Sequence, residues 1–101
     1  MKKIHTIPNE WQNIAQLFIA LGDAHRQRIL LAFEKDERLN ILQIAAASTL
    51  SRTAVTHHLK ILHQSGALNS EKIGKEVFFW VNKNFMTNAI QNVLHYIETE
   101  I

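Results

Sequence analysis

Two adjacent histidines, His57 and His58, lie in the stretch SRTAVTHHLKIL, which runs from Ser51 to Leu62. Imidazole is a common metal ligand, so the pair first suggests a metal site. Neighbours on a helix point about 100° apart, whereas two ligands of one ion need a spacing of three or four residues. The next histidine, His63, lies five and six residues after the pair. The spacing therefore argues against a metal site within this helix.

The chain contains no cysteine. This excludes disulfides, thiolate metal sites and thiol-based redox sensing. The sequence also has no glycine-rich phosphate loop, no cluster of metal ligands, and no nucleophile with a recognisable base. We therefore expect neither an enzyme nor a protein that carries a metal or other cofactor.

The composition is that of an ordinary soluble domain. The 101 residues are 47% hydrophobic and 20% charged, with no repeats and no flexible linker, which predicts a single domain over residues 1–101. The apolar runs are too short to span a bilayer. We expect a cytoplasmic protein with no membrane partner.

Helical spacing of apolar residues predicts four helices in the first two thirds of the chain. The second is expected over residues 24–34, the third over 41–47, and the fourth up to residue 64. Polar caps and glycines mark the expected boundaries. They are Asn9, Gly22, Asp23, Asn40, Ser51 and Gly66.

The third and fourth helices are separated by only about three residues, 48–50, which is typical of a helix-turn-helix. The pattern then changes to two short strands, 68–72 and 76–81, around a turn that contains Gly74. A last amphipathic helix begins near Asn84. The predicted fold is mainly α with a small β-hairpin (α+β), in the order α-α-α-α-β-β-α.

The fourth helix has two different faces. Val55, Leu59 and Leu62 form an apolar stripe, with His58 at its edge, where a packed and hydrogen-bonded histidine is expected. The opposite face has no acidic residue and consists of Arg52, Thr53, Thr56, His57, Lys60 and Gln64. Such groups suit phosphate oxygens and base edges in a DNA major groove.

A polar, basic face is also what a merely solvated helix shows. Here the face lies on the second helix of a helix-turn-helix, and the hairpin that follows carries Lys72 and Lys75 near its tip. Residues 51–83 contain five lysines and arginines against two glutamates. This context favours nucleic-acid binding.

Three stretches carry a family resemblance: ALGDAHRQRILLAF, LNILQIAAASTLSRTAVTHHLKILHQSGAL and GKEVFFWVN. Their most specific patterns are Asp-x-x-Arg-x-x-Ile-Leu from Asp23 to Leu30 and Ser-x-x-x-Val-[Ser/Thr]-x-His-Leu from Ser51 to Leu59. Over residues 21–82 the chain closely resembles the ArsR-like family of bacterial winged-helix transcriptional regulators. The resemblance implies a winged helix-turn-helix homodimer that binds operator DNA and often represses until an inducer binds.

The resemblance also implies roles for individual residues. Double-stranded DNA with an inverted-repeat operator would be contacted by Ser51, Arg52, Thr53, Thr56, His57 and Lys60, and by the wing residues Lys72 and Lys75. The dimer would form through the first and last helices, in agreement with their wide apolar surface. The expected interface residues, which also suit a monomer core, are Trp11, Ile14, Phe18, Ile90, Leu94 and Ile97.

The metal sites of the family's metal-sensing members have no counterpart here. The thiolate pair would fall at Asn40 and Leu42, and the other common site at Lys83, Phe85, Tyr96 and Thr99. We therefore expect a repressor without metal sensing, whose inducer the sequence does not identify. Two alternatives stay open. One is a metal-responsive repressor with a non-standard site of His95, Glu98 and His5 across the dimer, and the other is a winged-helix protein-interaction module.

Overall fold

The computed structural model describes residues 1–101, which form five helices and a three-stranded antiparallel sheet. This confirms the predicted mainly α fold with a hairpin. None of the helices is long and apolar enough to cross a membrane. The elements in chain order are α1 (Asn9–Leu21), α2 (Ala24–Ala32), β1 (Leu39–Asn40), α3 (Ile41–Ala46), α4 (Arg52–Gln64), β2 (Leu68–Ile73), β3 (Glu76–Val81) and α5 (Lys83–Glu100).

Side-chain caps begin three of the helices where the sequence predicts them. The Asp23 carboxylate accepts from two backbone N–H groups of α2, Asn40 forms a capping box at α3, and the Ser51 hydroxyl caps α4. The predicted cap at Asn9 is wrong. Helix α1 already includes Asn9, the cap position is Pro8, and no side chain caps a backbone N–H of the first turn.

Four other predicted boundaries shift by one or two residues, of which α3 ends at Ala46 rather than at residue 47 and β2 ends at Ile73 rather than at residue 72. Helix α2 ends at Ala32 rather than at residue 34, because Phe33 adopts an extended conformation and packs against the core. Helix α5 begins at Lys83 rather than at Asn84. Its cap is Asn82, whose side chain accepts from the backbone N–H of the third helical residue.

The sheet contains a strand that the sequence did not predict. Strands β2 and β3 form the expected hairpin around a two-residue turn at Gly74, with Leu68 opposite Val81 at its base. The two residues of β1 pair with the other edge of β3, so the strand order is β1-β3-β2. The element order is therefore α-α-β-α-α-β-β-α. Strand β1 was not predicted, because two residues are too few to show an alternating pattern.

The core lies between α1, α4 and the base of the hairpin. Ile14 belongs to this core and is only 4% exposed. It is therefore not available to a partner, contrary to the expectation that it lies in the dimer interface. Gly66, after α4, has φ +89° and brings the backbone against Phe85. The largest fully enclosed side chains are those of Leu17, Val55, Leu59, Leu62 and Leu68.

Candidate nucleic-acid interface

Helix α4 separates its side chains as its spacing predicts. Val55, Leu59 and Leu62 are buried, which fixes the rotation of the helix against the core. Arg52 and Lys60 form no ion pair with any carboxylate of the chain. Both are therefore free to meet an anion. The exposed face consists of Ser51, Arg52, Thr53, Thr56, His57, Lys60 and Gln64.

Two hydroxyls of this face are also used inside the helix. The Ser51 oxygen accepts from the backbone N–H of Ala54 at 3.1 Å, which leaves its hydroxyl proton free to donate. The Thr56 hydroxyl donates to the carbonyl oxygen of Arg52 at 2.8 Å, which leaves its oxygen free to accept. Each hydroxyl keeps one hydrogen-bonding function for a partner, and the two functions differ.

One of the two predicted wing residues, Lys75, lies near the start of α4. Lys75 lies in the hairpin turn and Lys72 lies in β2, and both side chains are exposed. Lys75 and Arg52 line one small cleft of about 120 Å³ between the wing tip and α4. The fold thus brings two cations from distant parts of the sequence to one edge of the candidate interface.

Three side-chain contacts join the wing to the rest of the domain, in addition to the pairing of β3 with β1. The guanidinium of Arg38 lies 3.8 Å from the ring centre of Trp80, and its Nη1 lies 2.9 Å from Oε2 of Glu71. At the base of the hairpin, Ser70 Oγ lies 3.0 Å from Nε2 of His63 at the end of α4. The contact of Ser70 with His63 joins the wing to α4, and the Arg38 contacts join it to the segment that precedes β1. None of these contacts was predicted from the sequence, although Arg38 stands close to the predicted third helix.

Arg26 joins three helices. Its Nε donates to the carbonyl oxygen of Ala20 at 2.6 Å, and its Nη2 donates to that of Ile19 at 3.3 Å, both at the end of α1. Its Nη1 lies 3.3 Å from Nδ1 of His58 in α4. The expected packed, hydrogen-bonded histidine at the edge of the apolar stripe is therefore confirmed. The sequence did not identify Arg26 as the partner of His58, although Arg26 is the arginine of the Asp-x-x-Arg pattern.

The surroundings of His58 favour its neutral form. Burial lowers the pKa of His58, Asp23 opposes this, and the positive charge of Arg26 lowers the pKa further. The rings of His25 and His57 lie 5.7 and 5.8 Å from that of His58. Because the Nδ1 of His58 faces an arginine, which is only a donor, neutral His58 presents its Nδ1 lone pair to Arg26.

The expected dimer residues outside the core differ in exposure. Trp11 packs edge-to-face on Tyr96 of α5, with ring centres 5.3 Å apart. Four others leave a large part of their surface in solvent, and α5 has a single buried residue, Ala89, among its 18. The four are Phe18 (44% exposed), Ile90 (46%), Leu94 (53%) and Ile97 (51%).

Within one copy of the chain, no three His, Cys, Asp or Glu side chains lie close enough together to hold a metal ion. His95 and Glu98 are exposed on α5, and His5 is exposed ahead of α1. A site shared by two copies of the chain is a separate hypothesis.

Comparison with known proteins gives the structural class of the chain. A family model described as winged helix-turn-helix DNA-binding matches residues 23–68. A solved ArsR-like transcriptional regulator from Rhodococcus sp. RHA1 superposes with a TM-score of 0.80 at 25% identity, covering 92% of this chain and 86% of that one. The chain is thus a winged helix-turn-helix protein.

Its relatives indicate the family. The transcriptional repressor SmtB homolog of Synechocystis sp. is 30% identical over 87 residues, which is 86% of this chain, and the chain spans 65% of that protein's length. The cadmium resistance transcriptional regulatory protein CadC of Listeria innocua is 26% identical over 85% of this chain and 72% of its own length. Over most of its length the chain is therefore similar to transcriptional regulators of the ArsR and SmtB type.

Proposed function

We propose that the protein is a sequence-specific DNA-binding repressor that acts as a homodimer in the cytoplasm. The observation that carries this proposal is the exposed face of α4, which has unpaired cations and hydrogen-bonding groups but no carboxylate. The SmtB homolog is a transcriptional repressor by name, which supports the same direction of regulation.

In this proposal α4 enters the major groove with its first residues. Arg52 and Lys60 contact phosphates or guanine edges, and Thr53 and His57 contact base edges between them. Lys72 and Lys75 on the wing contact the flanking backbone or minor groove. The buried stripe of α4 holds this face in one orientation, so the helix need not rotate on binding.

The dimer places two α4 helices on one side of the duplex, about one helical turn or slightly more apart, which requires an inverted-repeat operator. Its support is the apolar strip of Phe18, Ile90, Leu94 and Ile97, each about half exposed in the single chain. Three of these lie on α5 at spacings of four and three residues, so they share one helical face. Covering this strip with a second copy removes apolar surface from water.

The test is DNA affinity measured for variants of the α4 face. Lys60→Ala and Arg52→Ala should each weaken operator binding by about 1–3 kcal/mol while the thermal melting temperature stays nearly constant, because both side chains are exposed and unpaired. The operator is first selected from genomic fragments with the purified protein. Fluorescence anisotropy then gives the affinity, and Lys3→Ala, in the exposed segment ahead of α1, is the matched control.

Salt dependence supplies an independent check on the same complex. Binding through phosphates must weaken steeply as salt rises, and each lost phosphate contact should reduce the slope of log K against log salt by about one. Unchanged affinity for both variants would refute the assignment of this face. An affinity independent of salt would favour the protein-interaction module instead.

A second candidate is a metal-responsive repressor. The observation that favours it is the similarity to CadC, whose name refers to cadmium resistance. The candidate ligands are His95 and Glu98 of one copy with His5 of the other, because no sufficient group of ligands lies within one copy. Calorimetry with zinc, nickel and cadmium tests it, and dissociation constants no tighter than micromolar would remove it.

A further inference from the structure

A partly open cavity of about 180 Å³ lies between α2, the end of α3 and the turn that precedes α4. It is separate from the DNA-reading face and from the apolar strip of α1 and α5. Ile29, Ile44 and Leu50 form its apolar part, and His25, Arg28 and Ser48 contribute polar groups. A cavity with an apolar body and a few polar groups has the character of a small-molecule site.

The charge of this cavity selects for an anion. Arg28 forms no ion pair in the chain, and no acidic residue lines the cavity. One guanidinium N–H of Arg28 points to Nδ1 of His25, which positions the side chain and leaves further N–H groups free. A carboxylate is the partner that matches the fork of such N–H donors.

The volume of the cavity limits the size of the apolar part of the ligand. An apolar cavity of about 150 Å³ in another protein is large enough to hold benzene. The present cavity therefore has room for one six-membered ring or a branched chain of similar volume, with its charged group toward Arg28. A larger ligand would have to extend into solvent.

We propose that this cavity binds a small aromatic carboxylate, held by Arg28 with its ring against Ile29, Ile44 and Leu50, and that its binding lowers affinity for DNA. The second part rests on the proposed DNA-binding function. Ser48 and Leu50 belong to the turn between α3 and α4, where the Leu50 backbone N–H donates to Ser48 Oγ at 3.0 Å. A ligand packed against Leu50 acts on the turn that leads into the Ser51 cap, and its negative charge opposes nearby phosphates.

Benzoate is the probe, and benzamide is its neutral analogue of nearly the same shape. Titration calorimetry on the full chain should show benzoate binding at least about tenfold more tightly than benzamide, because only benzoate forms charge-assisted hydrogen bonds with Arg28. Arg28→Gln should remove this preference. Lys3→Gln, which also removes one exposed positive charge, should keep it.

A second variant tests the apolar part of the cavity. Ala47 lines the cavity and is exposed to solvent, so Ala47→Leu should fill the space without disturbing the core. Both probes should then bind more weakly. Benzoate that binds the wild type no better than benzamide, or that binds Arg28→Gln equally well, would overturn the site.

The link to DNA is measured on the selected operator. Benzoate should weaken DNA binding by the wild type severalfold and leave Arg28→Gln unaffected. Arg28-dependent benzoate binding by a protein that does not bind DNA would support the cavity site and contradict the proposed function. If Arg28→Gln weakens DNA binding without benzoate and leaves benzoate binding unchanged, Arg28 is a phosphate contact and the cavity proposal is wrong.

Discussion

The two adjacent histidines of α4 have different surroundings. His57 is exposed on the face that we assign to DNA, whereas His58 is half-buried against Arg26 and Asp23. The 100° rotation between neighbouring helix positions accounts for the separation. His58 in its neutral form accepts from Arg26, so the contact between α2 and α4 depends on its protonation.

Stability should therefore decrease at acid pH. Burial holds the pKa of His58 below its ordinary value of 6.5, so the unfolded chain takes up this proton at higher pH than the folded chain. The contribution of His58 is complete above about pH 6.5 and is lost as the pH falls below that value. The backbone N–H of Arg26 holds the pKa of Asp23 below 3.8, so a second loss follows in more acidic solution.

Urea unfolding from pH 8 to pH 4, at constant protein concentration, measures the first loss. His58→Asn is the matched variant, because its side-chain oxygen accepts from Arg26 but does not titrate. It should flatten the decline below pH 6.5. Identical pH profiles for the variant and the wild type would contradict the assignment to His58.

The backbone conformation and the close packing at Gly66 both require glycine. Its φ is +89°, and a Cβ at this position would lie 2.8 Å from Cε2 of Phe85. Gly66→Ala should therefore lower the free energy of unfolding by at least about 1–2 kcal/mol, through backbone strain and the displaced ring. Gly74→Ala is the comparison, since its φ is +63° but no atom lies within 4 Å of the added Cβ. Equal losses in chemical denaturation would mean that the contact with Phe85 contributes nothing.

At the scale of elements, each part of the candidate interface is positioned by a different kind of contact. The buried stripe sets the rotation of α4, and Arg26 connects it to the end of α1. The wing depends on pairing with β1 and on Arg38, which stacks on Trp80 and reaches Glu71. Contacts between elements therefore hold α4 and the wing in their relative positions.

The Arg38 contacts allow a prediction for the wing. Arg38→Ala should lower the free energy of unfolding by about 1 kcal/mol, the sum expected for an exposed cation–π contact and an exposed ion pair. Arg38→Lys should recover only part of this loss, because an ammonium cannot stack as a planar guanidinium does. Chemical denaturation measures both variants. If Arg38→Lys equals the wild type, stacking on Trp80 contributes nothing.

At the scale of the whole molecule, the chain is elongated, with a long axis of 51 Å compared with 24 and 21 Å. Core burial alone does not explain α5, because only Ala89 of its 18 residues is buried. A second copy of the chain would cover the helix that the first leaves exposed.

Leu94→Glu should separate the copies, because it places a charge in the centre of the apolar strip. Analytical ultracentrifugation should find monomers at concentrations where the wild type is dimeric, and operator affinity should fall because one half-site is lost. Asn88→Glu adds the same charge on the opposite side of α5 and should leave the dimer intact. A wild-type protein that is monomeric at all concentrations would contradict the proposed dimer.

Much of the candidate site was predictable from sequence because it depends on local rules. The caps at Asp23, Asn40 and Ser51 act within three residues, and the two faces of α4 follow from helical spacing. The short strand β1 was missed because its pairing depends on Phe78 and Phe79, almost 40 residues further along the chain. The conformational preferences of the two β1 residues and their neighbours in sequence do not indicate that they pair with residues so far along the chain.

The sequence by itself determined the type and order of the main elements, the polar face of α4 and the exclusion of thiol chemistry, since each depends on residue type and near spacing. The tertiary structure decided which apolar residues remain exposed: Ile14 is in the core, whereas Phe18 and Leu94 are not. It also decided the contact of Arg26 with His58 and the cavity beside Arg28. These depend on how α1, α2 and α4 pack, and periodicity along one helix does not specify its neighbours.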